Sequence, residues 1–199
     1  MDSISHTRVA NLLLAYVKST YGVSFDENAF RYGNLKPDLT GTYLTKRHYP
    51  SIMFDEVMDK IRTFLKKYTI EEHNGKDLSI DLGEICHYLT DFFCYPHNDD
   101  IYNKSLLAHY IYEKRVALSL RRKLTEQDFD SWVESVIPPV SEDALLSRIK
   151  SMHDRYKNET VRHCIDNDLV HICQICAMFV TSVVSMSYVP ASEPITASI

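Results

Sequence analysis

Leu82-Gly83-Glu84-Ile85-Cys86-His87-Tyr88-Leu89-Thr90-Asp91 and, beyond Pro96-His97, His109-Tyr110-Ile111-Tyr112-Glu113 are the stretches on which the fold turns. His87 and Asp91 stand four residues apart, and so do His109 and Glu113. On a helix, residues i and i+4 lie one above the other with Cβ atoms about 5–6 Å apart, so each pair can chelate one metal ion. Between the pairs, Tyr95-Pro96-His97 ends the first helix and aims a third imidazole out of a turn. Imidazole nitrogen and carboxylate oxygen are the donors zinc takes in catalytic sites, where one position stays open for water. One such pair alone reads as a surface salt bridge or a core histidine. Two pairs on consecutive helices, with a Pro-His between them, are harder to read so, but spacing alone leaves both a metal site and the salt-bridge or core-histidine reading standing.

Outward from this centre the periodicity is helical. Val9, Leu12, Leu13, Tyr16 and Val17 mark a helix over 6–19. Phe54, Val57, Met58, Ile61, Phe64, Leu65 and Tyr68 mark another over 51–68. The intervening 21–50 is not periodic, carries Gly33 and Pro37, and is read as a loop. Asn74-Gly75 marks a turn before a helix over 78–92. Further helices are expected over 105–124, over 126–136 where Pro138-Pro139 stops it, over 141–156 where Ser141 and acidic Glu142-Asp143 start it, and over 166–186. The last carries no charge from 169 to 189, long enough for a bilayer. It also holds His171, Gln174 and Thr181 and lacks basic flanks, so it reads as the central buried helix of a bundle, with no transmembrane span expected. The expected fold is all-α, one multi-helix domain over 1–189 with a disordered tail over 190–199.

Composition agrees. The chain has 199 residues, 45% hydrophobic and 25% charged, with only 5 Gly and 7 Pro, as long helices require. A net charge of −5 gives no general attraction to a phosphate backbone, so no stable nucleic-acid partner is expected. The 5 cysteines form no disulfide framework and read as buried thiols; Cys173-Gln-Ile-Cys176 sits in an apolar helical run that metal ligands could not share. Met1-Asp2-Ser3 has no positive n-region and Arg8 precedes the apolar run, so no signal peptide is read and a cytoplasmic location is the expected default.

The run HYxxD at 87–91, the Pro96-His97 pair and HxxxE at 109–113 resemble the zinc-dependent phospholipase C family, which includes bacterial phosphatidylcholine hydrolases and shares its fold with zinc-dependent single-strand nucleases. His6, Asp38 and His48 stand in the order of three further family ligands. The resemblance implies two to three zinc ions in a helical cleft. Asp38, His48, His87 and Asp91 would surround one; His97, His109 and Glu113 a second; Asp91 would bridge to a third, which His6 also binds. In secreted relatives an N-terminal Trp completes that third site, whereas this chain has its single Trp at 132.

Three zinc ions would outweigh the cleft's carboxylates and draw in an anion. Zinc lowers the pKa of bound water to about 7, so the implied reaction is attack of that water on phosphorus, with Asp38 as both ligand and proton acceptor. The expected activity is therefore hydrolysis of a small phosphodiester or phospholipid head group. A single-strand nuclease of the same fold and a non-catalytic zinc-binding helical protein are the alternatives.

Overall fold

The structure is a computed structural model, and it describes residues 1–40, 47–68, 75–159 and 164–187. Among these there are eight α-helices and no strand: α1 (Ser3–Tyr21), α2 (Glu27–Leu39), α3 (Pro50–Tyr68), α4 (Lys76–Phe92), α5 (Leu106–Lys123), α6 (Glu126–Val133), α7 (Glu142–Glu159) and α8 (Ile165–Ser187), with a 3₁₀ turn at Tyr95–His97 between α4 and α5. The fold is all-α. Asn74 and the 190–199 tail lie outside the described residues.

Helix starts follow from side chains that satisfy otherwise orphaned N–H groups. Asp2 accepts from Ser5 N at 3.0 Å, so α1 begins at Ser3, ahead of the periodic apolar residues. Ser105 accepts from Ala108 N at the head of α5. Thr125 and Asp128 form a reciprocal capping box on α6. At the other end of α1, Gly22 takes φ 67° and donates to Lys18 O, the left-handed stop that glycine adopts without strain.

The loop expected over 21–50 is corrected in part: Glu27–Leu39 is helix. Asp26 caps it by accepting from Ala29 N at 2.9 Å. Pro37 falls in the last turn, where it removes a single bond to the Gly33 carbonyl instead of breaking the middle of the helix. Gly33 is there for packing. A Cβ on Gly33 would lie 2.1 Å from Ile80 O, and one on Gly83 would lie 2.2 Å from Phe30 O. Only two glycines let α2 and α4 approach that closely, and the contact overrides the low helix propensity of the segment.

α8 runs through the centre, touching α1, α4, α5, α6 and α7. By length and apolarity it could cross a membrane, with a mean hydropathy of 1.9 over its best window. Here it is buried on nearly every side, from Leu169 and Ile172 through Phe179 to Val184. All the cysteines are free thiols, Cys164 exposed and the other four buried. α3 closes one flank against α4 and α7, and α1 the other, so α4 is sheathed on all sides and every residue from Leu82 to Phe92 is buried.

Candidate metal centre

α4 delivers His87 and Asp91 one turn apart into the interior, with His87 Nε2 3.4 Å from Asp91 Oδ2. The glycine contact fixes the orientation of His87. It brings the Asn34 carbonyl of α2 within 2.8 Å of His87 Nδ1, which donates to it. The proton is thereby held on Nδ1, and Nε2 presents its lone pair to the centre. His48, just before α3, places its Nδ1 3.1 Å from that Nε2 and 3.4 Å from Asp91 Oδ2. Asp38, near the end of α2, sets Oδ1 3.7 Å from His87 Nε2 and 4.0 Å from His48 Nδ1. His6 of α1 stacks on the His87 ring with centroids 4.0 Å apart, its Nε2 3.3 Å from Asp91 Oδ1.

The other half comes from the 3₁₀ turn and α5. His97 Nε2 and His109 Nε2 each lie 3.1 Å from Glu113 Oε1, and His97 Nδ1 lies 3.6 Å from Asp91 Oδ2. The structure thus brings all eight residues named from the sequence together. They form three groups whose potential ligand atoms lie within 4.8 Å of one another: His6, His87 and Asp91; Asp38, His48 and His87; and His97, His109 and Glu113. Asp91 is the shared member in space, one oxygen facing His6 and the other facing His48, His87 and His97.

The electrostatics suit a cation. Burial lowers the pKa of His87, and that of His97 despite the nearby carboxylates, the direction that favours lone pairs a cation could take. Burial alone would raise Asp91, but His97, the Met1 ammonium, His87 and His6 hold it well below the usual carboxylate range. Glu113 is likewise held low against burial by its bonds from His109 and His97. Asp38 moves the other way: burial, reinforced by Asp91, raises it above its ordinary value.

A fit to zinc follows from the hydrogen-bond ledger. Both ring nitrogens of His6, Nε2 of His48 and Nδ1 of His97 are buried without a hydrogen-bond partner among the described residues. Buried polar atoms are nearly always paired, and two of these, His6 Nε2 and His97 Nδ1, lie 3.3 and 3.6 Å from Asp91, where a divalent cation would complete the bonding. The donors are nitrogen and oxygen only, the set zinc takes in catalytic centres.

Sequence spacing did not disclose everything here. The amino group of Met1 reaches in, bonded to Asp91 and 3.1 Å from His97 Nε2. Burial opposes its charge, but Asp91 and Glu113 push its pKa up to about 11. Arg47, Tyr49, Leu106 and Tyr110 line the cleft above the ligands, a space of about 600 Å³. No local pattern marks a carbonyl such as that of Asn34 as a ligand's orienting partner; only the packing of α2 on α4 reveals it.

A family model described as zinc dependent phospholipase C matches residues 5–161. No curated protein matches the chain, and no solved structure does.

Proposed function

The chain belongs to the zinc-dependent phospholipase C family, and we propose that it hydrolyses a phosphodiester of the phospholipid head-group kind at the centre formed by His6, Asp38, His48, His87, Asp91, His97, His109 and Glu113. The observation that carries this reading is the clustering of three His/carboxylate groups beneath one open cleft, which Asp38, His48, Asp91, His97, His109 and Glu113 line. In it, Asp38, His48, His87 and Asp91 would hold one zinc ion and His97, His109 and Glu113 a second, with Asp91 and His6 available to a third. Bound there, zinc supplies Lewis-acid charge and a water whose pKa falls to about 7.

The chain's own residues supply the rest. Asp38 lines the cleft with its carboxyl partly open to solvent, and its raised pKa makes it a better proton acceptor than an ordinary aspartate. Arg47 at the cleft wall offers a cation to phosphate oxygens. Leu106 and Tyr110, 70% and 57% exposed, give the mouth an apolar edge suited to the glycerol and upper acyl portion of a lipid. A volume of about 600 Å³ accommodates a head group.

The test is elemental analysis of the purified protein, followed by assays on a choline-phosphate ester and on single-stranded DNA. Two or three zinc ions per chain, with ester hydrolysis lost to chelation and restored by zinc, is the expected result. Zinc without turnover on either substrate would make this a non-catalytic zinc protein, and turnover on DNA alone would make it a nuclease.

A further inference from the structure

Asp168 is a fully buried carboxylate in the first turn of α8. Its side chain accepts three bonds, all from other elements: Tyr95 N at 3.0 Å, the Tyr112 hydroxyl at 2.8 Å and the Tyr156 hydroxyl at 2.9 Å. Burial pushes its pKa up to about 6 in spite of these donors. A buried carboxylate is costly, and a neutral residue of similar shape would fill the space at less expense.

The places where its bonds land distinguish this residue. Tyr95 opens the 3₁₀ turn that presents His97, and that turn has no side-chain cap of its own. Within the turn Pro96 has no N–H, His97 N–H bonds to Cys94 O, and Tyr95 N–H bonds to Asp168. Tyr112 stands beside Glu113 on α5, one turn beyond His109. Tyr156 belongs to α7, which carries none of the proposed ligands. One carboxylate therefore ties together the two segments that bear His97, His109 and Glu113, and anchors both to the central helix. The other side of the turn is held by Asn98, which donates to Phe92 O and Cys94 O and accepts from His153.

We infer that Asp168 is the positioning residue for the His97–His109–Glu113 metal site, setting the separation of the 3₁₀ turn and α5 by bonding to Tyr95 and Tyr112. The inference rests on the proposed function, which supplies the metal. Tyr156 is an internal control: its hydroxyl makes the same kind of bond to the same carboxylate from a helix that bears no proposed ligand, and Tyr156→Phe keeps the ring that packs on Phe93.

The experiment compares the full-length wild type with Asp168→Asn, Tyr112→Phe and Tyr156→Phe, by zinc titration against a chromophoric chelator and by the visible spectrum of the Co²⁺-substituted protein. Outer-shell partners typically change metal affinity 10–100-fold. Asp168→Asn and Tyr112→Phe should weaken one zinc site by roughly that factor and shift the Co²⁺ bands. Tyr156→Phe should lower the melting temperature comparably yet leave affinity and spectrum as in wild type. Equal loss of zinc in both tyrosine variants, or unchanged affinity and spectrum in Tyr112→Phe, overturns the inference, and the tyrosine contrast decides even if Asp168→Asn does not fold. A wild type that binds no zinc or cobalt refutes the proposed function itself and takes this inference with it.

Discussion

Gly33 of α2 and Gly83 of α4 face each other's helices at a separation that leaves no room for a Cβ on either, and this contact sets the Asn34 carbonyl on His87. The atoms a methyl would strike are backbone, Ile80 O at 2.1 Å and Phe30 O at 2.2 Å, so no rotamer change can relieve the clash. Gly33→Ala and Gly83→Ala should each destabilise the protein by about 3 kcal/mol or more, at the upper end of overpacking costs. Both should also weaken zinc binding, because separating the helices removes the bond that orients His87. Urea denaturation with a parallel zinc titration checks this; unchanged stability in both variants would contradict the packing described.

The two glycines also explain where sequence reading falls short. The ligand pairs of α4 and α5 are legible because i and i+4 are neighbours by helical geometry alone, whatever the tertiary structure. α2 is not legible, since Gly33 and Pro37 carry the same letters in a loop as in a helix held by its partner. Its propensity is poor and its stability comes from packing, which no window of sequence contains. Asp168 and the Met1 amine act across 73 and 90 residues of chain respectively, so nothing local announces them. The start of α1 differs for a smaller reason: its cap, Asp2, stands a few positions ahead of the apolar stripe.

Asp91 touches more of the centre than any residue of α5 does, lying within 3.6 Å of ring nitrogens on His6, His48, His87 and His97. Asp91→Asn should therefore cost the protein more zinc than Glu113→Gln, whose loss falls on the His97–His109 group alone. Affinity should drop on the order of a hundredfold or more for each ion Asp91 serves. Zinc counted per chain after dialysis against a weak chelator distinguishes them; equal losses would mean that Asp91 is not shared between ions.

Asp38 is the most solvent-open carboxylate of its group and the one whose pKa is raised, the combination that suits a proton acceptor. Asp38→Asn should reduce kcat on a choline-phosphate ester by on the order of 10²–10⁴, the usual worth of a general base. The zinc count should fall by no more than one ion, because His48, His87 and Asp91 remain. Full activity in this variant would remove Asp38 from the chemistry.

Metal removal should destabilise the whole fold, because the ligands come from α1, α2, α4, α5, the 3₁₀ turn and the segment before α3. With zinc at about 1,000 times its dissociation constant, binding contributes about 4 kcal/mol per site. For a chain of this size that corresponds to roughly 10 °C in melting temperature. Differential scanning calorimetry with and without chelator measures the shift, and coincident transitions would show that the centre contributes nothing to stability.

His153 gives the acid side of the stability profile a separate origin. It is buried beside Phe54, Phe92 and Phe93, and its Nε2 donates to Asn98 Oδ1 at 2.9 Å. Burial, with Lys157 adding to it, lowers its pKa from 6.5 to about 4, against the pull of Asp154 and Asp100. The folded state thus resists protonation that the unfolded chain accepts. The contribution of the neutral ring is complete above pH 6.5 and is lost as pH falls toward 4, by up to about 3 kcal/mol. His153→Gln, which keeps a side-chain donor but cannot titrate, should flatten that part of the acid limb. Urea midpoints at pH 7.5, 5.5 and 4.5 on chelator-treated protein isolate the effect, because protonation of the metal ligands is then common to both forms. An identical slope in the variant would place the acid sensitivity at the metal centre instead of in the support behind the His97 turn.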